Sequence, residues 1–290
     1  MRKLHCLVWF ACLASASFTF AQKEDWLPIA QKDLQVKEVP GNPGADAIQL
    51  YYADFINDNT HSEFIYHRIK ILTDKGRQPG KYADVEIALI PGFTLSNLKA
   101  RTIHPDGQIV DFTGKPFEKT LIKGQGVKFL AKTFTLPDVS VGSIVEYKYE
   151  LHPPEGVIFD NSWIIQHELF TVKENLTFKA YEGALDTEEG GGTRLSYTIA
   201  NLNKQPTQKG STVELEMENV PGFEAEGLMP PEDVYKPQVR FFYGGSSLSS
   251  AEKFWQDRGT RWNDSMERFI GNHKEVRDAA AEAIGSETDP

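Results

Sequence analysis

Cysteine is almost absent from this chain of 290 residues, and both of its cysteines, Cys6 and Cys12, lie before Ala21. The chain after Ala21 therefore contains no thiol, which excludes a disulfide, a cysteine nucleophile and a cysteine-ligated metal there. A domain without disulfides must be stabilised by its hydrophobic core, and a chain of this length can bury enough apolar surface for that.

Basic residues are the minority among the charged ones. Lysine and arginine number 31 against 41 acidic residues, so the formal net charge is -10 at pH 7. No run of basic residues interrupts this excess, which argues against binding to nucleic acid or to an anionic membrane surface. A composition that is 40% hydrophobic and 25% charged is otherwise typical of a globular protein.

Only one long uncharged run occurs, from Leu4 to Phe20, and it follows two basic residues. With Thr19 and Ala21 at the -3 and -1 positions, this pattern predicts a signal peptide over residues 1–21. A membrane anchor is disfavoured because the run contains serines and a threonine and is short for a span of about 20 residues. Cleavage removes Arg2 and Lys3, which makes the net charge more negative. The signal peptide predicts a soluble extracytoplasmic protein, periplasmic or secreted.

Short β-strands separated by turns are predicted from residue 47 onward. Residues 22–46 are polar and rich in proline and glycine, and are expected to form a loose leading segment with a short helix. Period-two runs of β-branched and aromatic residues then predict about twelve strands. They are expected at 47–56, 63–73, 82–89, 95–103, 108–112, 127–136, 143–151, 157–169, 171–181, 193–200, 212–219 and 234–243.

The predicted fold class is mainly β: a large antiparallel β-sandwich over residues 47–245, followed by two C-terminal α-helices. The alternative is two fused sandwiches with a seam near Pro153–Pro154. In the strand 143–151, tyrosines face one side and Glu146 the other, a pattern typical of a half-buried antiparallel strand.

Residues 246–290 are predicted to be a helical linker. A capping box at Ser249 and Glu252 begins the first helix, Gly271 and Asn272 end it, and the second helix ends at Gly285. An apolar stripe on the first helix is either a domain interface or a face that packs on the sandwich. Its interface candidates are Trp255, Trp262 and Phe269.

Residues that could carry chemistry form no recognisable constellation. Histidines are scattered along the chain after Ala21, but none belongs to an HxH or HExxH motif, so no metal site is predicted. His67 is expected to be a core histidine, because it shares a strand face with isoleucines. His167 and Glu168 are adjacent on a predicted strand and point to opposite faces, which argues against an acid–base pair. We assign no catalytic residue and no cofactor.

Two further patterns have structural and functional interpretations. The acidic and amide residues around Asp58 resemble a calcium loop only in composition, and a hairpin turn is expected there. An acidic loop at 186–189 is expected to be solvated, and the glycines at 190–192 to form a mobile turn. Exposed aromatics could line a groove for a sugar or peptide, although such residues are more often core. They are Trp163, Tyr181, Tyr235, Phe241, Phe242 and Tyr243.

Three stretches, at 100–107, 134–149 and 219–231, resemble a known family in their order and spacing. They resemble the N-terminal β-sandwich domain of unknown function that precedes transglutaminase-like cores in secreted bacterial proteins, over about residues 45–245. The motif residues are Pro105, Asp106, Gly107, Pro137, Gly142, Glu146, Tyr147, Tyr149, Pro221, Met229 and Pro230. Most of them also have structural explanations, since glycine suits turns, proline breaks strands and tyrosine packs.

The resemblance implies a module that lies ahead of a papain-like core with a Cys-His-Asp triad. That core is not in this chain, so no triad position can be assigned, and the chain is expected to be the front part of a longer protein. We therefore expect a noncatalytic secreted accessory module that packs against or positions a transglutaminase-like or protease-like domain in cis. The alternative is a module that binds an envelope glycan or peptide on its own.

Overall fold

The computed structural model describes residues 26–124, 127–156, 158, 161–183, 194–244, 251–271 and 273–285. The predicted signal peptide, the acidic loop, the glycine turn and Ser249 of the predicted capping box lie outside the described residues.

The described residues are mainly β, as the sequence predicts, with fourteen strands and three α-helices. Eight strands form one large sheet. In spatial order these are β12 (Thr207–Lys209), β13 (Thr212–Val220), β10 (Thr171–Lys179), β1 (Ala47–Asn57), β2 (Ser62–Ile71), β8 (Ile144–His152), β4 (Thr94–Ile103) and β5 (Ile109–Asp111).

Two three-stranded sheets accompany the large one. The first consists, in order, of β3 (Asp84–Leu89), β7 (Val127–Thr135) and β6 (Phe117–Gly124). The second consists of β11 (Arg194–Ala200), β14 (Gln238–Gly244) and β9 (Ser162–Ile164). The α-helices are α1 (Gln31–Gln35), α2 (Ala251–Ile270) and α3 (Lys274–Ile284), and one turn of 3₁₀ helix spans Glu232–Val234.

Pairing is antiparallel wherever its register is described, apart from one central pair. Strands β1 and β10 run parallel, with Tyr52 opposite Glu174. A parallel pair requires a long crossover, and here β1 ends at Asn57 whereas β10 begins only at Thr171. The purely antiparallel sandwich that the sequence predicts is therefore corrected at this one position.

The interior of the sandwich lies where the large sheet meets the two smaller ones. Phe178 on β10 stacks on Phe241 of β14, with ring centroids 4.2 Å apart, and Trp163 of β9 meets Phe241 edge-on at 4.6 Å. Phe134 on β7 meets Tyr147 of β8 at 6.2 Å. Burial of each such ring contributes roughly 1.5–3 kcal/mol. Without disulfides, these contacts are what hold the sheets together.

The opposite face of the large sheet is covered by the leading segment. Val39 of this segment is buried together with Ile48, Ile103 and Ile144 of the sheet. Ile29 and Leu34 pack against the same cluster as partly buried residues. The middle of the large sheet is thus buried on both faces.

Several predicted boundaries differ from the structure. The expected strand 157–169 contains only the short strand β9, while β6 and β12 were not predicted. The sequence of β6 has no period-two pattern, and no face of the strand is buried: Phe117 is 63% exposed and Ile122 is 65% exposed. The first predicted helix is confirmed as α2, which continues through Gly259 from Ala251 to Ile270. One glycine costs a helix only about 1 kcal/mol.

The chain divides into two compact units. The first contains residues 1–182 and 197–241, and the second contains residues 183–196 and 242–290, including α2 and α3. Pro153–Pro154, the expected seam of two fused sandwiches, lies inside the first unit. No helix in the described ranges is both long enough and apolar enough to span a membrane.

Candidate functional site

The predicted interface residues lie on α2 and are exposed. Trp255, Trp262 and Phe269 expose 67%, 64% and 83% of their surface, respectively. Because they are spaced seven residues apart, successive side chains drift by only about 20° around the helix. Met266 is 41% exposed and lies one turn after Trp262. These four residues form one apolar face, which we call the α2 stripe.

The first two family-like motifs meet at one end of the large sheet. A Cβ at Gly142 would lie 3.1 Å from the Pro105 ring, and Gly142 has a φ of +87°. Thr102 donates a hydrogen bond to the carbonyl oxygen of Pro137 at 2.6 Å. His104 Nε2 lies 3.1 Å from the Asp138 carboxylate. Gly142 therefore fits this position because it combines left-handed backbone with close contact to the neighbouring turn.

The turn at residues 104–108 explains the other motif residues of the first stretch. Asp106 accepts a hydrogen bond from the backbone N–H of Gln108 at 2.9 Å, and Gly107 has a φ of +90°. The N–H of Gly107 donates to the carbonyl of His104 at 2.9 Å. An aspartate followed by a left-handed glycine is a common way to close such a turn. These residues shape the connection between β4 and β5.

Glu146 lies at the centre of a buried charged network. It is fully buried on β8, opposite Arg68 of β2 and Arg101 of β4. Arg68 Nε donates to one carboxylate oxygen at 2.5 Å, and Arg101 Nε donates to the other at 2.6 Å. The hydroxyl of Tyr66 also donates to Glu146. One carboxylate thus bridges two buried guanidinium groups.

The leading segment covers this network and accepts further hydrogen bonds from it. Arg68 donates to the carbonyls of Leu27 and Pro28 at 2.8 and 3.1 Å and to the Asp33 carboxylate at 3.0 Å. The Trp26 ring lies 4.4 Å from the guanidinium carbon of Arg101. We call Arg68, Lys70, Arg101, Glu146 and Lys148, all of them buried, the charged layer. The prediction that the strand at 143–151 is only half-buried is therefore wrong. Its charged face is covered by residues 26–36.

The other face of the same strands holds a second group of titratable residues. Tyr147 and Tyr149 point into the sandwich interior, as predicted, and burial raises the pKa of each well above its usual value. Burial and the negative charge of Glu63 raise the pKa of Asp54 well above its usual range. Burial raises the pKa of Glu63 to about 7. We call Asp54, Glu63 and Glu174 the interior acid cluster.

Two carboxylates of the interior acid cluster are incompletely bonded. Asp54 Oδ1 and Glu174 Oε2 are buried and have no hydrogen-bond partner in the part of the chain that the structure describes. Glu174 Oε1 lies 3.2 Å from His167 Nε2. Burial raises the pKa of Glu174, and the bond to His167 opposes this rise. An unpaired buried carboxylate oxygen is costly when charged, which favours the protonated form.

Histidine placement largely agrees with the sequence analysis. His67 faces the interior, stacks on Tyr147 at 4.6 Å, and has its pKa lowered to about 3, chiefly by burial. His167 does not pair with Glu168, whose carboxylate accepts a hydrogen bond from Tyr82 at 3.1 Å. The pair of His167 and Glu174 was missed, because a change of chain direction separates the two in sequence. No local spacing signals such a contact.

The third motif begins a long connection, Pro221–Pro237, between β13 and β14. A Cβ at Gly222 would lie 2.5 Å from the carbonyl oxygen of Glu168, so only glycine fits this position. The Phe223 N–H donates to the carbonyl of His167 at 2.8 Å, and Gln166 donates to the Pro221 carbonyl at 3.2 Å. Met229 Sδ accepts a hydrogen bond from the backbone N–H of Glu226 at 3.1 Å.

An open pocket of about 540 Å³ lies within this connection. Met229 and Pro230 of the third motif line it, together with Phe223, Leu228 and Tyr235. Its acidic lining residues are Glu224 and Glu226.

The predicted aromatic groove is not formed as a set. Trp163 and Phe241 are 1% and 2% exposed and belong to the core. Tyr235 is 50% exposed and lies at the open pocket. The structural interpretation of Trp163 and Phe241 is therefore confirmed.

The hairpin predicted around Asp58 is confirmed. Residues 58–61 form the turn between β1 and β2, and Asn57 accepts a hydrogen bond from the N–H of Asn59 at 3.0 Å. Within the described ranges, no three metal-ligating side chains converge.

Comparison with known families gives one match. The family model of DUF3857, described as a domain of unknown function with a solved structure, matches residues 57–206, just over half of the chain. This range includes the first two motifs and most of the interior acid cluster. No curated protein matches the chain.

Among solved structures, a protein from Parabacteroides distasonis ATCC 8503 that is described as a "putative protease" has a TM-score of 0.54 and 14% identity. The match covers 82% of this chain and 50% of that one, so the chain spans half the length of this neighbour. At this identity the likeness establishes the fold alone.

Two other solved structures are less similar to this chain. Leukotriene A4 hydrolase from Saccharomyces cerevisiae has a TM-score of 0.33 and 5% identity, over 68% of this chain and 29% of that one. The M1 zinc metallopeptidase from Deinococcus radiodurans has a TM-score of 0.28 and 10% identity, over 67% and 42%. Scores this low carry no argument about fold or function.

Proposed function

The chain belongs to the DUF3857 family of domains of unknown function, and from this membership we propose that it is a noncatalytic accessory module. In this role the β-sandwich packs against a protease-like or transglutaminase-like domain and positions it. The α2 stripe is the proposed contact surface.

The exposure of the α2 stripe is the observation that carries this proposal. Two tryptophans, a phenylalanine and a methionine on one helix face expose on the order of 500 Å² of side-chain surface. A patch of this size on a monomer commonly marks an interaction site. Aromatic and methionine side chains are also enriched at the centres of protein interfaces. A protein domain is therefore the occupant that suits this face best.

The nature of the partner is supported by the structural neighbour. The Parabacteroides protein shares this fold over half of its own length and is described as a "putative protease". An accessory domain next to a protease-like domain accounts for both facts. The family-like motif residues support a noncatalytic role, because Pro105, Gly107 and Gly142 form turns and Glu146 is consumed by two arginines.

Limited proteolysis of the natural full-length gene product tests the proposal. We expect the gene to encode a papain-like domain in the same protein, and Trp262→Ala combined with Phe269→Ala to loosen its docking. Residues 242–290 should then be cleaved about tenfold faster than in the wild type, since removal of two central aromatics typically costs more than about 1 kcal/mol each.

Asp264→Ala on the opposite side of α2 is the matched control, because it is exposed and lies about 160° around the helix from Trp262. It should leave the cleavage rate unchanged. A gene product without a protease-like or transglutaminase-like domain would overturn the proposal. So would equal cleavage of the wild type and the aromatic double variant.

An extracytoplasmic location forms part of the proposal. The positive residues Arg2 and Lys3, the uncharged run and the small residues at Thr19 and Ala21 support export. N-terminal sequencing of the protein from its natural host should read from Gln22. A mature protein that begins at Met1 and remains in the cytoplasm would contradict it.

A further inference from the structure

We propose that the connection Pro221–Pro237 is a docking site for an extended peptide segment that carries an arginine or lysine beside an apolar side chain. We call this connection the 221–237 loop. The site lies in the first compact unit and is independent of the α2 stripe, so it goes beyond the accessory function proposed above.

The 221–237 loop is long but firmly held. Its one regular element is a single turn of 3₁₀ helix, Glu232–Val234. Connections of more than about 12–15 residues with no secondary structure of their own are uncommon in compact domains, and the long ones are usually functional or disordered. Disorder does not describe this one, because side chains outside or at its ends donate to its carbonyls. Asn201 donates to Val234 at 2.8 Å, and Gln238 donates to Asp233 at 2.6 Å. Four prolines, at 221, 230, 231 and 237, restrict it further.

A strained apolar side chain stands at the tip of the loop. Leu228 is fully exposed, at 107%, and its φ is +68°. A bulky residue other than glycine in this region costs roughly 1–2 kcal/mol, and such strain clusters at sites of function. Val234 is 61% exposed on the same loop. The loop therefore holds apolar side chains in water at a conformational cost.

The pocket beside Leu228 combines apolar walls with negative charge. Phe223, Met229 and Tyr235 supply the apolar surface. Glu224 and Glu226 supply two carboxylates, and neither forms an ion pair with another described residue. Lys236 lies over the Phe223 ring at 5.0 Å, and its ammonium is paired with Glu232 at 3.1 Å and not with either of these carboxylates.

This chemistry favours a basic side chain with a long aliphatic stem. Arginine and lysine place their stems on apolar surface while the charged group stays with carboxylates. An apolar neighbour in the same peptide would contact Leu228. Because Glu224 and Glu226 repel acidic ligands, the site should discriminate strongly by charge. The prolines and side-chain anchors reduce the conformational entropy that binding would otherwise cost.

Fluorescence anisotropy with labelled peptides tests the proposal. The probes are Ala-Ala-Leu-Arg-Leu-Ala-Ala and its counterparts with glutamine or glutamate in place of arginine, each mixed with the full chain. The arginine peptide should bind about tenfold more tightly than the glutamine peptide, and raising the salt to about 0.5 M should abolish most of this difference. The glutamate peptide should not bind.

Variants then locate the binding site. Glu224→Gln with Glu226→Gln removes both charges at nearly constant volume and should weaken binding of the arginine peptide about tenfold. Leu228→Gly should weaken it about threefold and should not destabilise the fold, since glycine relieves the positive φ. The control is Glu155→Gln, an exposed carboxylate that does not line the pocket.

Three results would overturn the proposal. The first is equal affinity of the chain for the arginine and glutamine peptides. The second is no binding of the arginine peptide at a concentration of about 1 mM, which is well above micromolar dissociation constants. The third is an unchanged affinity for the arginine peptide in the double glutamine variant. All of these variants alter exposed side chains, so their folding can be verified by urea unfolding. None of these outcomes bears on the α2 stripe, because that surface is tested by different residues.

Discussion

At the scale of single residues, Glu146 has the largest structural role of the motif positions. Its carboxylate is fully buried between Arg68 and Arg101. A buried ion pair is not by itself strongly stabilising, because desolvation offsets the attraction. Removal of the Glu146 charge is a different matter, since Arg101 then loses its carboxylate partner in a buried position and Arg68 keeps only Asp33.

We therefore expect Glu146→Gln to lower the free energy of unfolding by about 3–5 kcal/mol, or to prevent folding. Urea unfolding followed by circular dichroism measures the change. Glu118→Gln is the matched control, because Glu118 also lies near two cations, Lys128 at 3.7 Å and Lys132 at 3.4 Å, but is 45% exposed. This exposed cluster should cost less than about 1 kcal/mol. Equal losses in the two variants would contradict the role assigned to Glu146.

The interior acid cluster makes stability depend on pH. The pKa of Glu63 is raised from 4.5 to about 7, so the folded protein keeps a proton that the unfolded chain releases. The stability from this group is fully present below about pH 4.5 and is lost as pH rises through 7. His67 acts in the opposite direction, because its pKa is lowered from 6.5 to about 3 and its contribution is lost as pH falls below 6.5. Above pH 6.5 the carboxyl effect stands alone.

We expect the free energy of unfolding to fall between pH 6.5 and about 8, by at most about 1.4 kcal/mol per pH unit for each excess proton. Urea titrations at half-unit intervals measure the slope. Glu63→Gln keeps a hydrogen-bonding group without titration and should flatten the fall. A stability that rises with pH over this interval, or a slope unaffected by Glu63→Gln, would show that the carboxyl is already ionised in the fold.

What the sequence predicted for individual residues depended on whether the determining contact is local. The turn roles of Gly107 and Gly142 and the inward placement of Tyr147 and Tyr149 follow from local patterning, and the structure confirms them. The burial of Glu146 could not be predicted from local patterning, because the residues that cover it belong to the leading segment, more than 100 residues earlier in the chain. Strand alternation assigns a residue to a face but does not say what lies on that face.

At the scale of elements, the leading segment packs on the large sheet and helps to hold its charged layer in place. Its Trp26 ring lies 4.4 Å from the guanidinium carbon of Arg101 and 4.7 Å from the ammonium of Lys148. Trp26→Ala should lower the free energy of unfolding by about 1–2 kcal/mol, the range of a cation–π contact shielded from water. Trp26→Phe, which keeps an aromatic face, should recover part of the loss in the same urea experiment. Wild-type stability in Trp26→Ala would mean that this ring does not hold the segment in place.

A substitution at Gly259 tests whether helix α2 is continuous. A Cβ at Gly259 would meet no atom within 4 Å, and the residue lies in the middle of the helix. Gly259→Ala should therefore increase helicity and stabilise the helix by about 0.5–1 kcal/mol. Far-ultraviolet circular dichroism and thermal unfolding measure both effects. A loss of helicity in Gly259→Ala would contradict the continuous helix.

The existence of α2 and most strand positions could be predicted because periodicity is a local property. Strand order could not be predicted in this way. Nothing in the sequences of β1 and β10 marks them as neighbours, because both carry patterns that suit several partners in a mainly β chain. The α2 stripe was visible from its spacing, whereas the 221–237 pocket depends on the path of a loop that has no periodicity.

At the scale of the whole molecule, the two compact units have different characters. The first contains the large sheet and is stabilised by aromatic contacts and by the charged layer, without any cysteine after Cys12. The second contains α2 and α3, on which all described side chains are at least partly exposed. A unit rich in exposed apolar side chains has little core of its own, which agrees with a role in contacting another domain.

The parallel pair at the centre of the large sheet also delays the pairing of β1 while the chain is being synthesised. Gln49 pairs with Thr171, so β1 cannot complete its hydrogen bonds until β10 has left the ribosome. At about 5–20 residues per second, the intervening chain takes on the order of 6–25 seconds to emerge. During that interval β1 has an open strand edge, the kind of surface that recruits other nascent chains. A chain that ends before β10 therefore exposes this edge of β1, where pairing with another chain can begin.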